Sequence, residues 1–143
     1  MTKILFVCHG NICRSPMAEF IMKDLVRKAG LEKHFEIASC AASREEEGNP
    51  IYGPARRELQ RHGVPFAEHY ARLITRQDLT YYDRIYYMDS RNARYLAQRF
   101  PDFHGFLPIL NRDVADPYYS GDFSQTWEDI LEGCERILKE VAK

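Results

Sequence analysis

Only 4 of the 143 residues are cysteine, Cys8, Cys13, Cys40 and Cys134, and no CxxC motif or close Cys/His cluster gives them the spacing of a zinc site. No metal or other cofactor is therefore expected. A secretory signal is lacking too: the apolar run after Lys3 extends only over residues 4–7, too short for a signal core or a membrane span. The expected setting is cytoplasmic, where thiols stay reduced and a disulfide framework has no place. Charge of one sign is also scarce, since the formal net charge is −1. With no basic excess, neither nucleic acid nor a membrane is expected as a partner, and any phosphate binding must be local. Internal repeats, low-complexity tracts and linkers are absent.

What remains is an ordinary globular balance, 45% hydrophobic and 29% charged, in a chain whose length suits one domain over residues 1–143. Strand and helix signals alternate. Residues 3–7 form a continuous apolar run, as expected for a strand buried on both faces. A helix is expected from Ser15 as N-cap and Pro16 at the first position, its apolar stripe running to Ala29 and Gly30 stopping it. Residues 35–39 read as a second strand and residues 54–62 as a second helix stopped by Gly63. Residues 84–88 read as a third strand, followed by a helix capped by Asp89 or Ser90. Residues 106–110 read as a fourth strand, placed at an edge by Pro108. Trp127, Ile130, Leu131, Cys134, Ile137, Leu138 and Val141 make one helical stripe. Residues 45–48 and 111–124 read as loops. This alternation implies an α/β fold, a four-stranded parallel sheet with helices on both faces, whose ligands bind outside the carboxyl ends of the strands.

The loop at that edge is Cys8-His-Gly-Asn-Ile-Cys-Arg-Ser15. Between a strand and a helix start, it can turn backbone N–H groups inward toward an anion. Gly10 and Asn11 are residue types that tolerate positive φ. Arg14 offers a planar fork for two phosphoryl oxygens. The same positive field favours a thiolate nucleophile at Cys8, and Ser15 can donate to its sulfur. A buried cysteine ending a strand is the bland alternative, and the surrounding strand, Gly-Asn and Arg-Ser-Pro outweigh it. The segment lacks the GxxxxGK[ST] pattern of a Walker loop. A departing alkoxide or phenolate needs an acid, and Asp116, stiffened by Pro117 and followed by Tyr118 and Tyr119, is the candidate. Read alone, Asp116-Pro117 is an ordinary turn; its standing comes from the Cys8 loop.

Val7-Cys-His-Gly-Asn-Ile-Cys-Arg-Ser-Pro16 together with Asp116-Pro-Tyr118 resembles the low-molecular-weight protein tyrosine phosphatases. Residues 69–75 and 88–92 also resemble the family's middle segments, so the likeness runs nearly end to end. It implies a flavodoxin-like strand order 2-1-3-4. It implies Cys8 as nucleophile, Arg14 as phosphate clamp, and Asp116 as general acid and later base, acting on a phosphotyrosine-containing protein or a small aryl phosphate. Residues 9–15, His9, Gly10, Asn11, Ile12, Cys13, Arg14 and Ser15, would form the phosphate-binding loop. A supporting network would join Asn11 to Ser15, Ser39 and His69, and Cys13 would form a reversible disulfide with the nucleophile. Without the resemblance, His69 reads as a satisfied core or surface histidine and Ser39 as a strand-end cap. Cys134 reads as core packing on its helical stripe, and a monomer is expected.

Two departures bear on specificity. His9 follows the nucleophile where relatives usually carry an aliphatic residue. Residues 43–48 lack the aromatic that usually forms one wall of the slot, with Glu45 near that position, so the pocket residues expected are His9, Glu45, Tyr118 and Tyr119. The nearest rival is an arsenate reductase on the same scaffold, but no cysteine lies between Cys40 and Cys134 to relay electrons. A silent phosphoprotein-binding module is the other rival, and it would need neither a thiolate nor an acid.

Overall fold

The structure is a computed structural model and describes residues 1–142. Strand β1 (Thr2–Cys8) lies inside a four-stranded parallel sheet of order β2-β1-β3-β4, with β2 at Phe35–Ala41, β3 at Arg84–Tyr87 and β4 at Phe106–Pro108. The expected order 2-1-3-4 is the one observed. Pleating divides the apolar run of β1 between two cores. Ile4 and Phe6 face one and Leu5 and Val7 the other, and all are fully buried. Each such side chain contributes about 1.5–3 kcal/mol by leaving water, so this one strand anchors both faces of the sheet.

The first face is covered by α1 (Arg14–Lys28), α2 (Gly53–Arg61) and α6 (Phe123–Val141). Trp127, Ile130, Cys134 and Ile137 of α6 are buried there, as their spacing predicts, and the Cys134 thiol lies 3.7 Å from the Ala18 carbonyl of α1. Over the second face lie α3 (Arg76–Tyr81) and α4 (Ser90–Arg99), which contribute Leu79, Leu96 and Phe100. Asp89 caps α4 by accepting the Asn92 N–H at 2.8 Å, and the Asn92 side chain accepts the Asp89 N–H in return.

Several boundaries differ from expectation. Helix α1 starts at Arg14, with Cys13 as N-cap and no capping side chain. Ser15 is not a cap, because its hydroxyl is engaged with Cys8 and Asn11. Strand β4 ends at Pro108, which has no N–H to continue the ladder, although Ile109 N–H still reaches the Tyr87 carbonyl. The segment expected as a 111–124 loop holds α5 (Pro117–Ser120) and the first turn of α6. Neither α3 nor α5 was anticipated. Helix α3 is only six residues long and owes its start to a Thr75–Asp78 capping box rather than to an apolar stripe.

Register decides where function can sit. Val7 pairs with Cys40 and with Tyr87, so the carboxyl ends of β1, β2 and β3 open at one edge. The chain passes from β1 to β2 on one side and from β2 to β3 on the other side of β1, so the strand order reverses there. The crevice at that edge is the natural ligand site.

Gly133 of α6 marks the tightest approach to the segment after β4. A Cβ there would lie 2.5 Å from Ile109 Cγ1 and 3.0 Å from its carbonyl oxygen. We expect Gly133→Ala to lower stability by about 1–3 kcal/mol through overpacking, although alanine is the better helix former. Urea denaturation measures this, and a variant as stable as the parent would show that the Ile109 segment yields freely.

Candidate active site

Strand β1 delivers Cys8 to the crevice, and the chain returns to α1 through a tight loop. Asn11 adopts the left-handed conformation, with φ 61°, the one non-glycine with positive φ among the described residues. Gly10 does not share it and serves a different purpose: a Cβ there would meet Glu46 Cγ at 3.0 Å, so glycine lets the acidic segment lie against the loop. Donors converge on the Cys8 sulfur, from Asn11 N–H at 3.3 Å and Ser15 N–H at 3.4 Å, with the Ser15 hydroxyl at 3.0 Å. The first turn of α1 carries no acidic residue, so its positive end is left for an external anion.

The side chains of Asn11 and Ser15 are turned inward and fully buried. Asn11 Nδ2 donates to Ser15 Oγ at 2.7 Å and to Ser39 Oγ at 3.0 Å, and Ser39 passes its own proton to Glu19 at 2.7 Å. Asn11 Oδ1 accepts from His69 Nε2 at 3.0 Å and from Arg72 N–H at 3.3 Å. A carboxamide oxygen only accepts, so His69 carries a proton on Nε2. Burial lowers the His69 pKa, against the pull of Glu19 beside Nδ1. Ser15 Oγ accepts from Asn11, and its single proton can go to the Cys8 sulfur at 3.0 Å or to the Cys40 carbonyl at 3.3 Å.

Arg14 is almost fully buried. Its Nη1 donates to Asp89 at 2.6 Å and to the Val114 carbonyl at 2.8 Å, and Nη2 lies 3.4 Å from Asp116. Burial alone would lower the guanidinium pKa, but the Cys8 sulfur and the Asp89 carboxylate override it and raise it. Burial works to raise the Asp89 carboxyl, and the Arg14 hydrogen bond outweighs it, holding Asp89 below the usual carboxylate range. Asp116 is the N-cap of α5: its Oδ1 accepts the Tyr118 N–H at 3.1 Å while Oδ2 faces Arg14. Its φ of −75° and ψ of 111° are the extended backbone expected before proline.

Cys8, Arg14 and Asp116 line one hollow of about 200 Å³ that also takes in His9, Ile12, Cys13, Glu45, Tyr118 and Tyr119. All the expected pocket residues meet there. Tyr118 is backed by Tyr52, ring centroids 5.3 Å apart. Burial raises the Cys13 thiol, with Cys8 adding to the effect. Cys40 and Cys134 are buried away from the hollow, and burial raises both. Among the described residues, no three His, Cys, Asp or Glu side chains cluster so as to hold a metal ion.

Sequence reasoning missed Asp89 as the partner of Arg14, reading it only as a helix cap, and missed Glu19 as the carboxylate behind Ser39 and His69. The only sequence signal for Glu19 was a carboxylate on an otherwise apolar stretch of α1, where it is buried. Tyr52 had no signal at all.

The family model described as low molecular weight phosphotyrosine protein phosphatase matches residues 3–143. The chain is 38% identical to the low molecular weight protein-tyrosine-phosphatase YfkJ of Bacillus subtilis over 152 aligned positions, covering 100% of this chain and 97% of that protein. A crystal structure of a low molecular weight protein tyrosine phosphatase from Streptococcus pyogenes superposes with a TM-score of 0.93 at 34% identity, covering 99% of this chain and 93% of that one. A Drosophila arginine phosphatase superposes with a TM-score of 0.87 at 30% identity, covering 99% of each chain.

Asn11 joins a strained backbone to a hydrogen-bond hub, and two variants separate those contributions. Asn11→Gly keeps the backbone conformation and loses the carboxamide; Asn11→Ala loses both. We expect Asn11→Ala to be less stable than Asn11→Gly by about 1–2 kcal/mol, the cost of the left-handed conformation for a residue with a Cβ. Urea midpoints of the two variants measure the gap, and equal stabilities would show that the loop relaxes out of that conformation.

Proposed function

The chain belongs to the low molecular weight phosphotyrosine protein phosphatase family and is a protein-tyrosine phosphatase, and from this premise we propose that it hydrolyses aryl phosphomonoesters through a cysteinyl-phosphate intermediate. The observation that carries the proposal is the convergence of Cys8, Arg14 and Asp116 on one hollow, with hydrogen-bond donors aimed at the Cys8 sulfur.

The phosphoryl group sits on the loop of residues 8–15, its oxygens taking the free N–H groups of the loop and the start of α1. A guanidinium has five N–H donors in a fixed fork. In Arg14 both Nη1 protons and one Nη2 proton face Asp89, Val114 and Asp116. The Nε proton and the second Nη2 proton point the same way and are left for two phosphoryl oxygens. Asp89 therefore acts as a positioning residue, holding the back of the fork while the front grips substrate.

The Cys8 thiolate attacks phosphorus, the bond to the aryl oxygen breaks, and Asp116 gives that oxygen its proton. Water then attacks the cysteinyl phosphate while Asp116 takes a proton back, and the sulfur leaves with the Ser15 hydroxyl stabilising it. Transition-state charge is spread over oxygens already facing Arg14 and backbone amides, the arrangement that does most of the work in phosphoryl transfer. Tyr118 and Tyr119 form the wall against which an aryl ring stacks. Cys13, in the same hollow, is the thiol with which Cys8 closes a reversible disulfide when a peroxide takes two electrons from the pair.

Cys8→Ser should bind inorganic phosphate or vanadate yet turn over no phosphotyrosine; appreciable turnover would remove Cys8 as nucleophile. Asp116→Asn should slow phenyl phosphate by about 10²- to 10⁴-fold and an aryl phosphate with a much better leaving group far less. Equal losses on both would mean that Asp116 is not the acid. In a panel with phosphoserine, phosphothreonine and phosphoarginine, phosphotyrosine should give the highest kcat/KM.

A further inference from the structure

His9 does more than occupy the position after the nucleophile. Its carbonyl accepts both the Ser43 N–H and the Ser43 hydroxyl at 3.1 Å, and its Nε2 meets Glu45 Oε2 at 2.8 Å. The ring stands edge-on to Tyr95, centroids 5.8 Å apart. The Ser43 hydroxyl also accepts the Glu45 N–H at 3.4 Å, and Glu46 packs onto Gly10 beneath. Backbone and side chain together thus pin the segment after β2 onto the phosphate loop. A carboxylate oxygen only accepts, so His9 Nε2 carries a proton and holds the Glu45 carboxylate in place.

The pinned carboxylate stands between two hollows. On one side is the catalytic hollow; on the other is a second hollow, of about 200 Å³, lined by His9, Glu45, Asp89, Arg91, Tyr95 and Tyr119 among others. The two hollows share Glu45 and Tyr119, so a peptide whose phosphotyrosine enters the first has room for a neighbouring side chain beside Glu45. The charges that side chain meets are unequal. Arg14 is occupied by its ion pairs with Asp89 and Asp116, leaving Glu45 and Glu46 against Arg91, the one exposed cation lining the two hollows.

We propose that His9 is a positioning residue that fixes Glu45 as a charge filter beside the phosphate slot, so that the enzyme favours phosphotyrosine flanked by a basic residue and disfavours phosphotyrosine flanked by an acidic one. The inference rests on the phosphotyrosine reading of the catalytic hollow. The filter acts on the flanking residue and is silent toward free phosphotyrosine, which has no neighbour to place beside Glu45.

The experiment uses two short phosphotyrosine peptides, identical except that the residues beside phosphotyrosine are arginine in one and glutamate in the other, with free phosphotyrosine assayed alongside. The readout is the ratio of kcat/KM for the two peptides within each protein, so that a general loss of activity in a variant divides out. The unaltered enzyme should prefer the arginine peptide by about threefold to fivefold at low salt, the range an exposed charge pair supports, and the ratio should shrink as salt screens it. Glu45→Lys should invert the ratio. His9→Leu, which removes the donor, should bring it toward one, and His9→Gln, which restores a donor, should recover part of it. Turnover of free phosphotyrosine together with equal kcat/KM for the two peptides, or a ratio indifferent to Glu45→Lys, would overturn the filter and leave the proposed chemistry standing. Failure to turn over free phosphotyrosine would overturn both.

Discussion

The site depends on one carboxamide. Asn11 sits in a backbone conformation that a side chain ordinarily avoids, and it is held there because its oxygen and nitrogen are both spoken for. His69 and Arg72 supply the donors, and Ser15 and Ser39 the acceptors. Because a carboxamide oxygen cannot donate, the protons on His69 Nε2 and on Asn11 Nδ2 are fixed in direction. The outcome is felt at sulfur: the Ser15 hydroxyl accepts from Asn11 and sits 3.0 Å from the Cys8 sulfur, with the Cys40 carbonyl at 3.3 Å as the alternative acceptor of its proton. A buried network of this kind specifies a single arrangement only when every member is satisfied, and among the described residues no buried side-chain polar atom lacks a partner.

Arg14 follows a parallel logic. A guanidinium this deeply buried would be costly without a counter-charge, and Asp89 supplies it from the far side of the sheet edge. The ion pair and the Val114 carbonyl fix the plane of the fork. The same pair ties β3's carboxyl end to the phosphate loop, while Asp116, capping α5, stands at the opposite rim of the hollow. Three loops that follow different strands are thereby drawn to one hollow.

Much of the fold was legible because its signals are local. The run at Ile4 to Val7 has only one good use, a strand buried on both faces, and the stripe from Trp127 to Ile137 only one, a helix against a core. Strand-to-helix passage through Cys8 and Arg14 likewise marked the loop. Helices α3 and α5 escaped because each is short and begins on a side-chain cap, a cue that many turns share. The start of α1 was misplaced because Ser15 looks like a cap, and its hydroxyl faces the sulfur instead. Gly10 was read for backbone freedom, whereas Glu46 packing on it explains the glycine.

Residue type and spacing were thus sufficient for the sheet and for picking out Cys8, Arg14 and Asp116, which the fold brings to one hollow, since each is written within a few positions of a recognisable turn. They were silent on who stands behind those residues; only the family resemblance pointed to Ser39 and His69, and nothing pointed to Asp89 as the partner of Arg14. Asp89 is 75 positions from Arg14, and Ser39 and His69 lie 28 and 58 positions from Asn11. Such partners meet only when parallel strands bring their carboxyl ends to one edge, and no local pattern encodes the meeting. His9 marks the boundary: its place beside Cys8 was plain from the chain, and its grip on Glu45 existed only once the segment after β2 had folded against it.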